Sequence, residues 1–207
     1  LDASGNSTLL TMDEDNAGTR VLPEARGNAI NAAFDIGKGS LFVLNRGRGE
    51  IAEIKSDGNG LPNPSAPPAR SAIQAFGIND PQGITFNSED GRLFVLDAGN
   101  AQIVSVAPHP TLGFDANEAI RANKLERISL RGLGAGTFRG IAFDPSSGHL
   151  YIAQPDQKRL YELTQAGELV STIDLTSFGI NNLTAMTFAP SVDTTDDPNA
   201  TSLYILD

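Results

Sequence analysis

Four stretches of the chain share one order of hydrophobic and polar positions. Each opens with a short, largely apolar run through a Phe: Ala32-Ala33-Phe34-Asp35, Ile84-Thr85-Phe86-Asn87, Ile141-Ala142-Phe143-Asp144 and Met186-Thr187-Phe188-Ala189. In three of them a turn follows, Gly37-Lys38-Gly39, Glu89-Asp90-Gly91 or Ser146-Ser147-Gly148. The closing Gly supplies the positive φ that a tight hairpin needs. Next comes a run with no polar position: Leu41-Phe42-Val43-Leu44, Leu93-Phe94-Val95-Leu96, Leu150-Tyr151-Ile152-Ala153 and Leu203-Tyr204-Ile205-Leu206. Side chains on a strand alternate between faces, so such a run predicts a strand buried on both sides. A third segment carries one polar position, as in Ile51-Ala52-Glu53-Ile54, Ile103-Val104-Ser105-Val106 and Leu160-Tyr161-Glu162-Leu163. A fourth is read over Ser71–Phe76, Leu125–Leu130 and Leu169–Leu175.

The Phe of this unit stands at 34, 86, 143 and 188. Four antiparallel strands repeating about every 50 residues is the unit of a β-propeller. The pattern therefore predicts an all-β chain, a single propeller domain over 1–207 built of four-stranded antiparallel blades. The four repeats either close a ring or form part of a larger one. A sandwich of similar hairpins is the alternative, and it leaves the shared order of Phe, turn and doubly apolar strand unexplained. The ends carry half-units. Thr8–Met12 and Thr19–Leu22 read as third and fourth strands, and Met186–Ala189 and Leu203–Asp207 as first and second strands. Leu1-Asp2-Ala3-Ser4-Gly5-Asn6 parallels Leu96-Asp97-Ala98-Gly99-Asn100, so both ends share one phase. The expectation is a composite blade that clasps the ring and covers edges otherwise open to aggregation. Its bonds would run within one chain or between two chains in a dimer that closes a larger ring.

Composition narrows the function classes. Lys+Arg number 15 against 25 Asp+Glu, for a net charge of −10. Such a chain repels phosphate backbones, which argues against nucleic-acid partners. No apolar run approaches the roughly 20 residues of a membrane span. The absence of Cys removes disulfides, thiolate zinc sites and Cys nucleophiles. The two His, His109 and His149, have no Ser elbow near them, which speaks against a Ser-His-Asp triad or a His-based zinc site. The 21 Gly and 12 Pro are dispersed, as many short strands require, and Leu61–Pro68 reads as a Pro-rich surface loop. The chain opens at Leu1-Asp2 without Met or signal peptide. It is expected to be a processed or excised part of a longer, secreted or cell-surface bacterial protein.

The segment Asp80-Pro81-Gln82-Gly83-Ile84-Thr85-Phe86, with Gly91-Arg92-Leu93-Phe94-Val95-Leu96-Asp97 after it, resembles NHL-type and gluconolactonase-like β-propeller repeats. Phe138-Arg139-Gly140-Ile141-Ala142-Phe143-Asp144-Pro145, followed by Gly148–Ala153, does so too. The resemblance covers the whole chain as four repeats, where six blades are commonest in that family. It implies the propeller fold, and it implies function only as a choice among lactonases, scaffolds and protein-binding modules. Gluconolactonase-like enzymes hold an axial divalent metal through Glu, Asn and Asp. Asn28, Asp80 and Asn182 match part of that set, but no Glu stands at the start of an inner strand.

Propeller sites gather where the loops joining strand four to strand one meet those joining strand two to strand three. Counted six residues before the repeat Phe, those loops present Asn28, Asp80, Thr137 and Asn182. Asn28, Asp80 and Asn182 are the candidate metal ligands, because a hard cation such as Ca²⁺ takes several oxygens at once. The competing reading is that Asn and Asp at turns bond their own backbone. Arg139, Gln82 and Asp97 are the candidate ligand-binding residues, with Arg139 either holding an anionic group or pairing with Asp80, Asp97 or Asp144. Two acidic stretches, Asp13–Gly18 and Val192–Asn199, read as a hairpin turn and a solvated loop, with Ca²⁺ binding as the alternative. Gly132–Gly136 is a flexible connector, and Phe114–Asn123 is an insertion of one or two helical turns with Asp115 as N-cap. With a complete repeat and no convergent catalytic set, the expected function is a non-enzymatic module. It would bind a protein or small-molecule ligand at the channel face, or act as a scaffold. A metal-dependent lactonase or esterase-type hydrolase on the same fold is the alternative.

Overall fold

The computed structural model describes residues 8–13, 16–21, 29–35, 37–57, 63, 65–108, 114, 117, 119, 122, 124–191, 197 and 200–207, with side chains from 31 onward. Three complete blades follow one another. The first is β3 (Ala29–Asp35), β4 (Ser40–Asn45), β5 (Glu50–Ile54) and β6 (Ala69–Ala72). The second is β7 (Pro81–Asn87), β8 (Arg92–Asp97), β9 (Gln102–Val106) and β10 (Leu125–Ser129). The third is β11 (Arg139–Asp144), β12 (His149–Gln154), β13 (Arg159–Leu163) and β14 (Leu169–Asp174). Two hairpins, β1 (Thr8–Asp13) with β2 (Asn16–Val21) and β15 (Ala185–Pro190) with β16 (Thr201–Leu206), form separate two-stranded sheets. The fold is the expected all-β propeller type, with the inner strands β3, β7, β11 and β15 packed in that order.

The doubly apolar strand is the reason the sheets stack. Phe42 and Leu44 of β4 face Leu93 and Val95 of β8 in one core, joined by Ile51, Ile84, Val104 and Val106. The opposite side chains of β8, Phe94 and Leu96, face Leu150 and Ile152 of β12 in a second core with Ile103, Ile128 and Ile141. Ala153 of β12 then packs with Leu160, Leu175, Leu183 and Met186 in a third core, flanked by Tyr151, Phe188, Leu203 and Ile205. One strand thus serves two interfaces. Inner strands approach closely where side chains are lacking: a Cβ on Gly83 would lie 3.1 Å from the Ile141 nitrogen.

Local chemistry fixes the ends of the elements. Asp35, Asn87 and Asp144 directly follow the repeat Phe of the three complete blades, and their Oδ1 atoms accept from the backbone of Gly37, Glu89 and Ser146 at 3.0, 2.9 and 2.9 Å. The turns close with Gly39, Gly91 and Gly148 at φ of 65°, 73° and 72°. The fourth repeat has Ala189-Pro190 there and a longer connection. Each complete blade carries a bulge early in its inner strand, between Ala29 and Asn31, Pro81 and Gly83, and Arg139 and Ile141. The expected fourth strand of the first blade is shorter than read. Ile73–Phe76 is a 3-10 turn ended by Gly77 at φ 73°, and it buries Ile73 and Phe76. Most of the 114–123 insertion, including Asp115, lies outside the described residues, as do most of Val192–Asn199, the Asp13–Gly18 turn at 14–15, and His109.

Phe94 is fully buried at the interface of the second and third blades. Phe94→Ala is expected to cost about 3–5 kcal/mol in chemical denaturation, the loss typical of a truncated core aromatic.

Candidate functional site

At the face where inner strands begin, carboxylates hold the loops by their backbone. Asp97, buried at the end of β8, accepts at Oδ1 from Asn79 N at 3.2 Å and Asp80 N at 2.9 Å. Its Oδ2 accepts from Asn100 Nδ2 at 2.7 Å and Gln102 Nε2 at 3.0 Å. Burial alone raises the Asp97 pKa, but these hydrogen bonds outweigh it and hold the carboxyl below its ordinary value. Asp207 repeats the device after β16 in the terminal hairpin, accepting from Asn181 N at 2.8 Å and from Asn182 N. In the third blade the residue in phase is Gln154, whose Oε1 accepts from Tyr161 OH at 2.9 Å, and Asp156 instead receives Thr137 N at 3.2 Å.

The residues singled out from the sequence fall on this face, in part. Asp80 pairs with Arg46, which reaches across from the first blade, and Gln82 Nε2 donates to the same Oδ1 at 3.0 Å. Arg46 is thus the cation at Asp80, the place where pairing with Arg139 was one of the readings. Arg139 is exposed at the start of β11 and makes no ion pair among the described residues. Asn182 is exposed, its backbone clamped by Asp207. Asn28 lies outside the described residues. Among the described residues no group of three or more His, Asp or Glu is placed to hold a metal ion.

Inside the arc of inner strands lies a cavity of about 370 Å³, lined by β3, β7, β11 and β15. All four repeat Phe side chains, Phe34, Phe86, Phe143 and Phe188, contribute to its wall with Met186, and Glu89 supplies the one charged side chain. Thr85 also faces it, with its Oγ1 engaged by Phe143 N at 3.0 Å. The sequence marked these Phe as strand ends; their common phase on four inner strands was the signal that they would converge. A shallower polar groove of about 410 Å³ at the outer edge of the second blade is lined by Asn100, Gln102, Arg127 and Arg131. It draws on one blade and its loops, and Arg127 is engaged there by the Phe76 carbonyl at 3.0 Å. The axial cavity, which draws on four inner strands, is the stronger candidate site.

His149 belongs to neither site. Its Nδ1 lies 2.7 Å from Glu162 Oε1 across β12 and β13, and Ser171 Oγ donates to Glu162 Oε2 at 2.6 Å. The Ser171 hydroxyl, and after it His149, hold Glu162 below the ordinary glutamate range. Burial, then Glu162, pushes the Tyr151 phenol up to about 12. The hydroxyl addresses the carboxylate, not the imidazole, so this is not a nucleophile–base pair.

No known protein family matches the chain in sequence, and no curated protein is similar to it. Solved structures do match in fold. A chain of a nidogen/laminin complex aligns at TM-score 0.63 and 14% identity over 90% of this chain and 64% of its own. Virginiamycin B lyase from Staphylococcus aureus aligns at TM-score 0.56 and 12% identity over 99% of this chain and 64% of its own. A protein of unknown function from Desulfotomaculum acetoxidans aligns at TM-score 0.52 and 16% identity over 83% and 51%. The chain thus spans less than two thirds of these neighbours, and at these identities the likeness is one of fold.

The clamp makes stability depend on pH. Because the folded Asp97 pKa is lowered, its contribution is complete above the unfolded value of about 3.9 and is lost as pH falls through the folded value. Asp97→Asn should lower stability at pH 7 by about 2 kcal/mol, the scale of lost hydrogen bonds to a charged group. It should also flatten the acid limb of a stability–pH curve below about pH 4. An acid limb unchanged from the parent would show that another carboxylate controls it.

Proposed function

We propose that this propeller is a binding module whose axial cavity receives an apolar group of a protein or small-molecule ligand. The observation that carries the reading is the convergence of Phe34, Phe86, Phe143, Phe188 and Met186 on one cavity of about 370 Å³. That volume and an apolar wall with few polar groups are the features of ligand pockets. The loop face supports the same reading. Asp97, Asp156 and Asp207 hold backbone there, so the face is a braced rim around the axis. The fold neighbour in the nidogen/laminin complex belongs to a protein–protein assembly. The setting we propose is a longer secreted or cell-surface bacterial protein, in which this domain supplies recognition without chemistry.

The competing hydrolase reading requires a metal held by oxygens at the loop face. A Ca²⁺ site built on Asp80 and Asn182 would have to displace Arg46 from Asp80. Calorimetric titration with Ca²⁺ separates the cases: Arg46→Ala should bind more tightly than the parent if Asp80 is a ligand, and Asp80→Ala should abolish the heat.

The binding reading is tested with the neutral fluorophore N-phenyl-1-naphthylamine. Saturable binding to the parent is expected, and Phe34→Glu should weaken it roughly 10- to 100-fold, as loss of one large apolar contact does. Phe34 is partly exposed, so circular dichroism should show the variant folded. Equal binding by both proteins overturns the axial site. Metal-dependent turnover in a lactone and ester screen overturns the non-enzymatic assignment.

A further inference from the structure

The three complete blades repeat a set of polar positions as well as apolar ones. The set joins the first residue of the third strand, two residues of the outer strand on the same face, and the residue two places after them. By register and by the backbone bond that follows each outer strand, it is Glu50, Arg70, Ala72 and Gln74 in the first blade. In the second it is Gln102, Arg127, Ser129 and Arg131. In the third it is Arg159, Thr172, Asp174 and Thr176. The first and third sets each hold one Arg and one acid. Arg70 is ion-paired with Glu50. The Thr176 hydroxyl, and after it the Arg159 charge, hold the Asp174 carboxyl below its ordinary value. The second blade keeps an arginine at Arg127 and adds Arg131, but it has the neutral Gln102 where Glu50 stands. Its set carries cations and no anion, in a chain of net charge −10.

The surroundings do not supply the missing carboxylate. Among the described residues neither Arg127 nor Arg131 has an acidic partner. Glu126, next to Arg127 along β10, points from the other face of the sheet and pairs with Arg92 at 3.0 Å. Asp97 is buried behind the wall, and its Oδ2 is taken by Asn100 Nδ2 and Gln102 Nε2. Both arginines line the polar groove of about 410 Å³ described above. Arg127 is held there in advance of any ligand. Its Nη2 donates to the Phe76 carbonyl at 3.0 Å, and a Cβ on Gly77 would lie 2.8 Å from the same nitrogen. Gly77, at φ 73°, thus gives the guanidinium its place against the backbone. One carbonyl satisfies only part of a guanidinium's donor set.

We propose that this groove binds the carboxylate of a Glu or Asp side chain on a partner protein, which takes the place that Glu50 holds beside Arg70 in the first blade. A guanidinium and a carboxylate match in planar, two-pronged geometry, and such charge-assisted bonds are the strong ones. The groove opens along the outer strand of the sheet, so it suits a group presented by a larger surface; small molecules are held in enclosed cavities. The net charge of −10 repels polyanions at long range, which leaves a single carboxylate in an otherwise uncharged segment as the fitting partner. The site is separate from the axial cavity, and neither depends on the other.

The test is an amide NMR titration at low salt with two capped pentapeptides that differ only in a central Glu or Gln. The Glu peptide is expected to give saturable shifts at Gln102, Ser129 and Arg131, and the Gln peptide none. Ser129→Asp restores to the second blade the acid that Asp174 supplies in the third. It should occupy the arginines and weaken the Glu peptide roughly 10-fold, the scale of lost hydrogen bonds to a charged group. Ser129→Asn, its uncharged counterpart, should bind as the parent does, and Arg131→Gln should bind as weakly as Ser129→Asp. Ser129 and Arg131 are exposed, so circular dichroism should show all three variants folded. Equal response to the two peptides, or equal binding by Ser129→Asp and Ser129→Asn, would overturn the site. Shifts with free glutarate but none with the Glu peptide would assign the groove to a small acid and overturn the protein partner. No shift with any of the three probes would overturn both.

Discussion

The contact on which everything else depends is sheet against sheet through the second strand of each blade. Leu93 and Val95 point one way from β8, and Phe94 and Leu96 the other, all of them buried. A sheet with two apolar faces has no solvated side, so it is stable only between neighbours. Burying one such side chain contributes about 1.5–3 kcal/mol, and β8 and β12 are each counted in two interfaces, whereas Tyr204 and Leu206 of β16 stay exposed. The sheet twist turns each successive blade, and the result is an arc of inner strands around an axis. Gly83 serves the same geometry from inside, because its missing Cβ lets β7 lie against the backbone of β11.

Polar groups are then used where the hydrophobic stacking cannot satisfy the chain. The loops between blades leave backbone N–H groups near the axis with no ladder to join. A buried carboxylate is costly unless several donors reach it, and a loop N–H needs an acceptor. Asp97 answers both needs at once, with two backbone and two side-chain donors. Asp144 does the same at the opposite end of the blade, receiving Ser146 and Ser147, and it takes Thr201 Oγ1 from the next blade at 3.3 Å. These acids resemble ligand sets in a sequence, and their donors explain why they stand there.

This distinction marks how much could be read from the chain alone. The blades were legible because their signal is local: strand, Gly turn and doubly apolar strand are written within a few consecutive residues. The Asx role of Asp35, Asn87 and Asp144 is equally local, each accepting from the backbone N two residues on, but it was not read from the sequence. The partner of Asp80 was not legible, because Arg46 belongs to the preceding blade and no spacing rule connects residues 34 apart. The 3-10 turn at Ile73–Phe76 was hidden too, since its Ile and Phe read as well for a strand as for a turn that points both into a core. The axial cavity lay between these cases. Its Phe residues were seen, but their convergence follows only once four inner strands share one axis.

The two ends of the channel consequently differ in what they can recognise. At the loop face the Arg46–Asp80 pair is solvent-exposed and links two blades, so it is screened by salt and contributes little to stability. Such a pair can yield to a charged partner at small cost, but it offers no apolar surface. In the axial cavity the order is reversed. Its aromatic walls are fixed by packing, with Phe86 stacked on Phe42 at 5.2 Å and Phe143 on Phe94 at 6.3 Å between ring centres. Rings held in this way lose little conformational entropy when a ligand arrives, so apolar contact there converts into affinity more fully than on a mobile surface. Under the proposed binding function, recognition that depends on shape and apolar area belongs to the inner strands.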